Sequence, residues 1–572
     1  MMAPLKADNY TVKDTKDDNQ DSVLPNSDIP AVTLVSSRTL ITASAIVSEN
    51  KCKSEALPSM WTHSSDEVPQ ANKESRSPDA ESYTSSDTNS SDDDALAVKP
   101  AILPQIGGTL IIAFTYLGFG TFLGFTGATL IQMTDPQSDD LYLNPTQAAL
   151  FTSLNYLGMA FGCTCSGALQ VKLGQRVTLL TVIPLSMAAW LTMAFVPVDA
   201  IWLIQIARVI QGVVVGVIYV TSSNYVVEVA HSDYRGRLGG TLAITRQVGI
   251  MFVYLLSLTN LSWREIALLC GCVSNIPPFL GLLFLPNSPR WLASRGCLEE
   301  AHKALTFYRG SQYDSQTELT KISEQFSSSG KGNSFMDQMK MMKDRRVLRC
   351  VFFMSFFVFA RQFLGNTVVV SNMSSIFHAA DVKLDKYVST VVSGAIRVSG
   401  TFVYLCISDH VGRRPALITS LLMCFPCLLS LGVFFFLKTN CMDVHYLDWL
   451  PLTAVGIFNF FISIAVPVIN ILPGELMPTS VRSVTTALLC TVTCGASFLS
   501  NFTFKHFHEV LYTWFWIYAC VCVLLALIAF FNIPETRGRV LEEVSKEFGD
   551  KFESICSSKH HHKENQNSQN NV

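Results

Sequence analysis

The chain has 572 residues, of which 49% are apolar and only 15% charged, and its mean hydropathy is +0.31 although its first hundred and last forty residues are polar. The middle must therefore be far more apolar than a soluble domain, which implies a membrane-embedded body. A net charge of −3 and a pI of about 6.4 give no sign of a nucleic-acid binder.

Residues 1–101 form the first expected unit, a disordered cytoplasmic tail. They are rich in Ser, Asp, Thr, Asn and Lys, include SSDTNSSDDD, and hold too little apolar surface to offset the entropy of ordering. Val32–Val47 is mildly apolar but carries Arg38 and several hydroxyl residues, without the pattern of a cleaved signal peptide.

From Ile102 onward, apolar runs long enough to cross a hydrocarbon core of about 30 Å follow one another between short polar turns. The predicted spans are 105–131, 146–171, 176–197, 200–225, 237–259 and 263–285, then 347–372, 385–407, 415–437, 448–473, 481–504 and 513–533. This divides the chain into a six-helix bundle over 102–285, a polar and basic link over 286–346, a second bundle over 347–533 and a polar tail over 534–572. Within the link, LEEAHKALTFYRG has the periodicity of an amphipathic helix lying under the bundle. Lys172, Arg176, Arg235, Arg237, the basic run of the link, Arg413, Arg414 and Arg482 all fall on one side of the membrane. By the positive-inside rule, that side and both termini are cytoplasmic.

The two apolar blocks repeat one another. Glu228, seven residues before Arg235, recurs 247 residues on as Glu475, seven before Arg482. Pro286, opening PNSPR, recurs 248 residues on as Pro534 of PETRG, and Gly174 of GQR recurs 238 residues on as Gly412 of GRR. A period of this size is a duplication of about six membrane helices, an arrangement that builds transporters with a central site between the halves. The fold class expected is all-α, with twelve membrane helices in two six-helix bundles.

Short loops place acids and arginines at the cytoplasmic helix ends: Arg176, Glu228, Arg235, Asp409, Arg413, Arg414, Glu475 and Arg482. Carboxylate and guanidinium there can bridge neighbouring helices and hold the inner side closed. The plainer alternative is that they only set topology, since any cytoplasmic loop is basic.

These motifs resemble the sugar porter branch of the major facilitator superfamily, most closely the insect facilitated trehalose transporters. The residues that carry the resemblance are Arg208 with Gly212 and Gly216, Tyr225–Glu228, YRGRLGG, PNSPRWLASRG, GRRPAL, GELMPTSVR and PETRGR, spread over about 102–545. The resemblance implies the major facilitator fold, a small-molecule solute, the lipid bilayer as surroundings and no cofactor. It also implies a plasma-membrane carrier that works passively.

The implied sugar site is largely rewritten. Where the family's seventh helix reads glutamine, glutamine and asparagine around a Ser-Gly pair, this chain has Arg361, Gln362 and Thr367, so only Gln362 is kept. Counting from the flanking motifs puts Arg397 at the eighth-helix asparagine position, Ala243 at the fifth-helix glutamine and Asn470 at the tenth-helix tryptophan. Thr493, Cys494 and Ser497 take the eleventh-helix positions. An arginine in mid-span is unfavourable by about 2.5–3.5 kcal/mol on insertion scales and is expected to face a cavity or a partner. Arg361 and Arg397 sit there, and Arg246 shares the face of Ala243, which makes the cavity cationic. Three readings stay open: a passive sugar carrier, a carrier of organic anions or acidic sugars using Arg361 and Arg397, and a non-transporting membrane sensor.

Gly365, Pro467, Pro473 and Gly474 fit helix breaks beside a site or close helix packing, and Pro467 with Pro473 in one span favours a break that could serve as a gate. Proton coupling is not favoured, because the first span carries no carboxylate to relay a proton. Nor is ATP-driven transport, because no phosphate-binding glycine loop appears. The sixteen cysteines are read as small buried hydrophobes, and KHHHK in the C-terminal tail as solvated.

Overall fold

Polar turns cut the apolar middle into helices, and a computed structural model shows where. It describes residues 101–136, 140–231, 234–329, 344–440, 442, 445–477, 482–506, 511–535 and 547. The N-terminal tail and the KHHHK stretch lie outside the described residues.

The first half contains α1 (Ile102–Met133), α2 (Pro145–Leu173), α3 (Gln175–Ala194), α4 (Ile201–Val229), α5 (Arg235–Leu256) and α6 (Trp263–Phe284). The link contributes α7 (Pro289–Ser294), α8 (Leu298–Arg309) and α9 (Ser315–Ser329). The second half contains α10 (Arg345–Gln362), α11 (Asn366–Ser371), α12 (Met373–Ala380), α13 (Lys386–Val411), α14 (Arg413–Thr439), α15 (Leu450–Leu476), α16 (Arg482–His506) and α17 (Leu511–Asn532). Among the described residues there is no strand. The chain is an all-α membrane protein. Eleven of its helical segments are long and apolar enough to cross a bilayer. The twelfth, α2, has 29 residues and falls short in apolarity, not in length, because Asn155, Gln170 and several hydroxyl residues dilute it.

Local chemistry accounts for the helix ends. Ser262 and Glu265 form a reciprocal cap at the start of α6, the Ser262 N–H donating to Glu265 at 2.8 Å. Gly174 and Gly412, the glycines of GQR and GRR, both stop a helix at positive φ, 79° and 89°. A side chain there would be strained, so glycine is the residue these turns need.

The seventh span differs from its prediction. Gly365, in the left-handed region at φ 80°, separates α10 from α11, and Asn372 separates α11 from α12. The Asn372 side chain donates to the Val368 carbonyl at 3.0 Å, which satisfies the interrupted backbone. The break expected at Pro467 and Pro473 does not occur, since α15 runs unbroken through both. Neighbouring helices and slight local adjustment let a membrane helix absorb a proline.

Small residues bring helices into backbone contact. A Cβ added at Gly212 would overlap the Asn155 carbonyl, and one at Gly158 the Val209 carbonyl, so α2 and α4 interlock through glycine steps on both sides. The halves meet where α2 packs on α16, α5 on α13, and α1 on α11 and α12. The amphipathic helix read in the link is α8, which packs on α1 and whose Tyr308 hydroxyl meets that of Tyr225 on α4 at 3.2 Å. Arg309 donates to the Val229 carbonyl at 2.7 Å and forms a two-point ion pair with Glu318 at 3.0 and 3.1 Å. Burial by itself would raise the Glu318 carboxyl, but Arg309 outweighs it and holds that carboxyl below its ordinary value.

The cysteines follow the packing expectation with one exception. Twelve described cysteines are free, seven of them buried, whereas Cys297 of the link is disulfide-bonded.

Candidate functional site

Where the halves meet they enclose a cavity of about 450 Å³, its walls largely apolar with a few polar and cationic side chains. That volume is within the range of small-molecule sites. Seven of the eight residues singled out for solute contact line it: Arg361, Gln362, Thr367, Arg397, Asn470, Thr493 and Ser497. Ala243 does not. The fifth-helix contribution comes from one turn further on, where Arg246 lines the cavity and Gln247 bonds to Arg397. A helix repeats its face every three to four residues, so counting from a distant motif placed the right face one turn early.

The three arginines of the cavity have different surroundings. Arg397 is only 2% exposed. Its Nε donates to Gln247 Oε1 at 3.0 Å, its Nη1 to Asn459 Oδ1 at 3.0 Å and its Nη2 to Asn366 Oδ1 at 2.5 Å. Three neutral amides, from both halves, thus solvate one buried guanidinium. Arg361 donates from Nη1 to Asn470 Oδ1, and its buried Nε has no hydrogen-bond partner. Arg246 hydrogen-bonds to no described residue and lies 5.8 Å from the centre of the Phe119 ring. Gln247, Asn366 and Asn459 were missed from the sequence. The available signal was an amide in an otherwise apolar span, which by itself does not say which cation it will meet.

A fourth arginine sits apart. Arg208 of α4 is fully buried, donates to Gln211 at 3.1 Å, and is held between the rings of Phe122 and Phe151 at 4.9 and 4.8 Å.

One end of the cavity is shut. There the Tyr254 hydroxyl donates to the Val370 carbonyl at 3.0 Å, the Ser374 hydroxyl donates to the Gly127 carbonyl at 2.5 Å, and Tyr156 pairs with Ser371 at 3.4 Å. Gly127 permits this closure, because a Cβ there would strike the Val370 carbonyl. At the other end the walls run out to Val227 and Ile471, both exposed, beside Glu228 and the Glu475 backbone.

Where their bonds are described, the acids and arginines at that open end bind within their own halves. Glu228 accepts two bonds from Gln175 Nε2, at 2.9 and 2.8 Å, and one from the Ser288 hydroxyl. It is not joined to Arg235, whose buried Nε has no partner. Arg176 caps the end of α6 through the carbonyls of Leu282 and Leu283 at 2.9 and 2.7 Å. Arg414 does the same for α17 at Phe530, while the N–H groups of Arg413 and Arg414 donate to Glu535 at 3.0 and 3.1 Å. The side chains of Asp409, Glu475 and Arg482 lie outside the described residues.

Two bundles around one central cavity, open at one end and shut at the other, define a membrane transporter of the major facilitator type. The chain belongs to the family described as "Sugar (and other) transporter", whose sequence profile matches residues 103–548. It is 28% identical to the facilitated trehalose transporter Tret1 of Apis mellifera ligustica over 449 residues, 78% of this chain and 88% of that one. Its similarity to Tret1 of Bombyx mori is of the same order, 28% over 448 residues, covering 77% and 86%. Among solved structures it resembles the proton:xylose symporter XylE bound to 6-bromo-6-deoxy-D-glucose, with a TM-score of 0.64 at 20% identity, covering 78% of this chain and 100% of that one. It also resembles a partially occluded inward-open form of XylE from E. coli, with a TM-score of 0.63 at 20% identity, covering 76% and 99%. At that identity the likeness extends to the fold alone.

Proposed function

We propose that this chain is a facilitative carrier of a sugar or sugar-like solute in the plasma membrane, both termini facing the cytoplasm, working by alternating access to the central cavity. The observation that carries the reading is the cavity itself, walled by both halves, closed by α1 against α11 and α12, and open beside Glu228. Rocking the halves about this point would open the closed end and close the open one. With the positive-inside assignment, the present arrangement faces inward.

Family membership and the trehalose carriers among its relatives support a sugar as the solute. Gln362, Thr493 and Ser497 line the cavity as neutral hydrogen-bonding groups suited to hydroxyls. A uniport mode is supported by the lining, which has no carboxylate among its described residues to relay a proton.

The test is tracer uptake of trehalose and hexoses in oocytes expressing the full chain, with and without a proton gradient. Saturable, gradient-independent flux in both directions is expected. Accumulation driven by acid outside would overturn the uniport reading, and saturable binding without flux would make the protein a sensor.

A further inference from the structure

We propose that the cavity takes a small polyol bearing one negatively charged group, a carboxylate or a phosphate, which seats on Arg361 and Arg246, while Arg397 fills the amide cage that would otherwise read neutral hydroxyls. This rests on the carrier reading and names the class of solute.

The described lining holds three arginines and no Asp or Glu. Only Arg397 is provided for, since Gln247, Asn459 and Asn366 each offer it a carbonyl oxygen. Each of those oxygens already accepts one bond from the guanidinium. A neutral sugar reaching that side meets a guanidinium already held by its own acceptors.

Arg361 keeps donors beyond its bond to Asn470, and Arg246 makes only a ring contact with Phe119. The open end of the cavity lets water reach both guanidinium groups, the buried Arg361 Nε apart. When the carrier closes over its cavity that water leaves, and two guanidinium groups without counter-charge would face a medium of low dielectric. An anion removes the penalty through short, charge-assisted bonds to a planar donor fork. The same reasoning makes the empty carrier slow to reorient, so exchange of solute across the membrane outruns net flux. Hydroxyls on the rest of the solute have Gln362, Thr493 and Ser497 to meet, and Tyr219 supplies an aromatic wall.

The test compares matched pairs on the purified full chain: glucuronate with glucuronamide, and glucose 6-phosphate with glucose. Half-saturation of thermal stabilisation is expected about tenfold lower for at least one charged member, the difference between a charged and a neutral hydrogen-bonded group. Response to glucuronate alone assigns the carboxylate, and response to glucose 6-phosphate alone the phosphate. R246Q and R361Q should each remove most of that preference, and R397N should improve the response to glucose. In proteoliposomes preloaded with the preferred anion, counterflow should exceed net uptake several-fold. Equal responses within both pairs, or no response to any of the four, overturn the proposal, and the wild-type comparison decides this even if a variant fails to fold. Neutral sugars carried with no charge preference would sink this inference and leave the carrier reading intact. Charge-selective binding without flux would do the opposite.

Discussion

The two halves use one turn in two ways. In each, a glycine at positive φ stops a helix, and the second residue after it is an arginine that caps the last carbonyls of the half's final helix: Arg176 on Leu282 and Leu283, Arg414 on Phe530. The acids differ. In the first half Glu228 comes from α4 and gathers Gln175 and Ser288, tying a membrane helix to the start of the link. In the second half Glu535, from the PETRG motif itself, accepts the first N–H groups of α14, where a helix N-terminus favours negative charge. Duplication preserved the turn and the arginine cap. Among the described side chains, the carboxylate beside this turn is Glu228 in the first half and Glu535 in the second.

The comparison can be broken most severely at the close helix contacts. Gly212→Val should drive α4 away from the α2 backbone, with loss of folded protein in fluorescence-detected size exclusion, because backbone rather than a movable side chain fills the space. Gly495→Ala, on a second-half helix with no atom near the added Cβ, should be tolerated with a Tm within about 2 °C of wild type.

Removing these acids comes next. Glu535→Ala should destabilise by about 1–3 kcal/mol, since it leaves two N–H groups without their charged acceptor. Glu228→Gln should weaken by less, an amide oxygen still accepting from Gln175, and should lower Vmax for uptake more than it raises KM. Equal Tm losses in the two variants, or unaltered Vmax in the second, would show that the acids play the same topological part.

At the closed end of the cavity, the expected effect is on the cycle. Ser374→Ala removes the bond to the Gly127 carbonyl and should cost about 1 kcal/mol of that closure. Labelling of a cysteine placed near Ser371 by an impermeant reagent should speed up accordingly.

The smallest effects lie in surface ion pairs. Arg264 forks onto Asp140, Nη2 donating to Oδ1 at 2.7 Å and Nε to Oδ2 at 2.9 Å, and its hydrogen bonds hold the Asp140 carboxyl below the ordinary value. A depressed carboxylate stabilises above its unfolded pKa and loses that contribution as pH falls through the folded one. Asp140→Asn should therefore destabilise slightly at pH 7, by ~0.2–1 kcal/mol for a partly exposed pair, with the difference shrinking on acidification below the usual aspartate range. Lys383→Ala in the second half should do nothing measurable, because this lysine is 69% exposed and its amine lies 3.5 Å from Asp448.

Span number, span limits to within a few residues, the duplication and the mid-span arginines were legible in the chain. Each depends on local transfer energies or on motif recurrence, and needs no knowledge of what lies opposite. The break in the seventh span was half legible: Gly365 marked it, whereas the more conspicuous Pro467 and Pro473 did not break theirs, because neighbouring helices decide whether a proline is absorbed. Partner choice was not legible at all. Glu228 and Arg235 have the spacing of a pair, yet Glu228 is claimed by Gln175 and by Ser288, sixty residues on. Arg361 and Arg397 read alike as charges in apolar helices, and only packing gives one three amides and leaves the other facing the cavity. A buried cation is satisfied by whichever polar groups converge on it in space. For Arg397 these are separated from it by 150, 62 and 31 residues, so the identity of the cage is a property of how the helices assemble and of no single one of them.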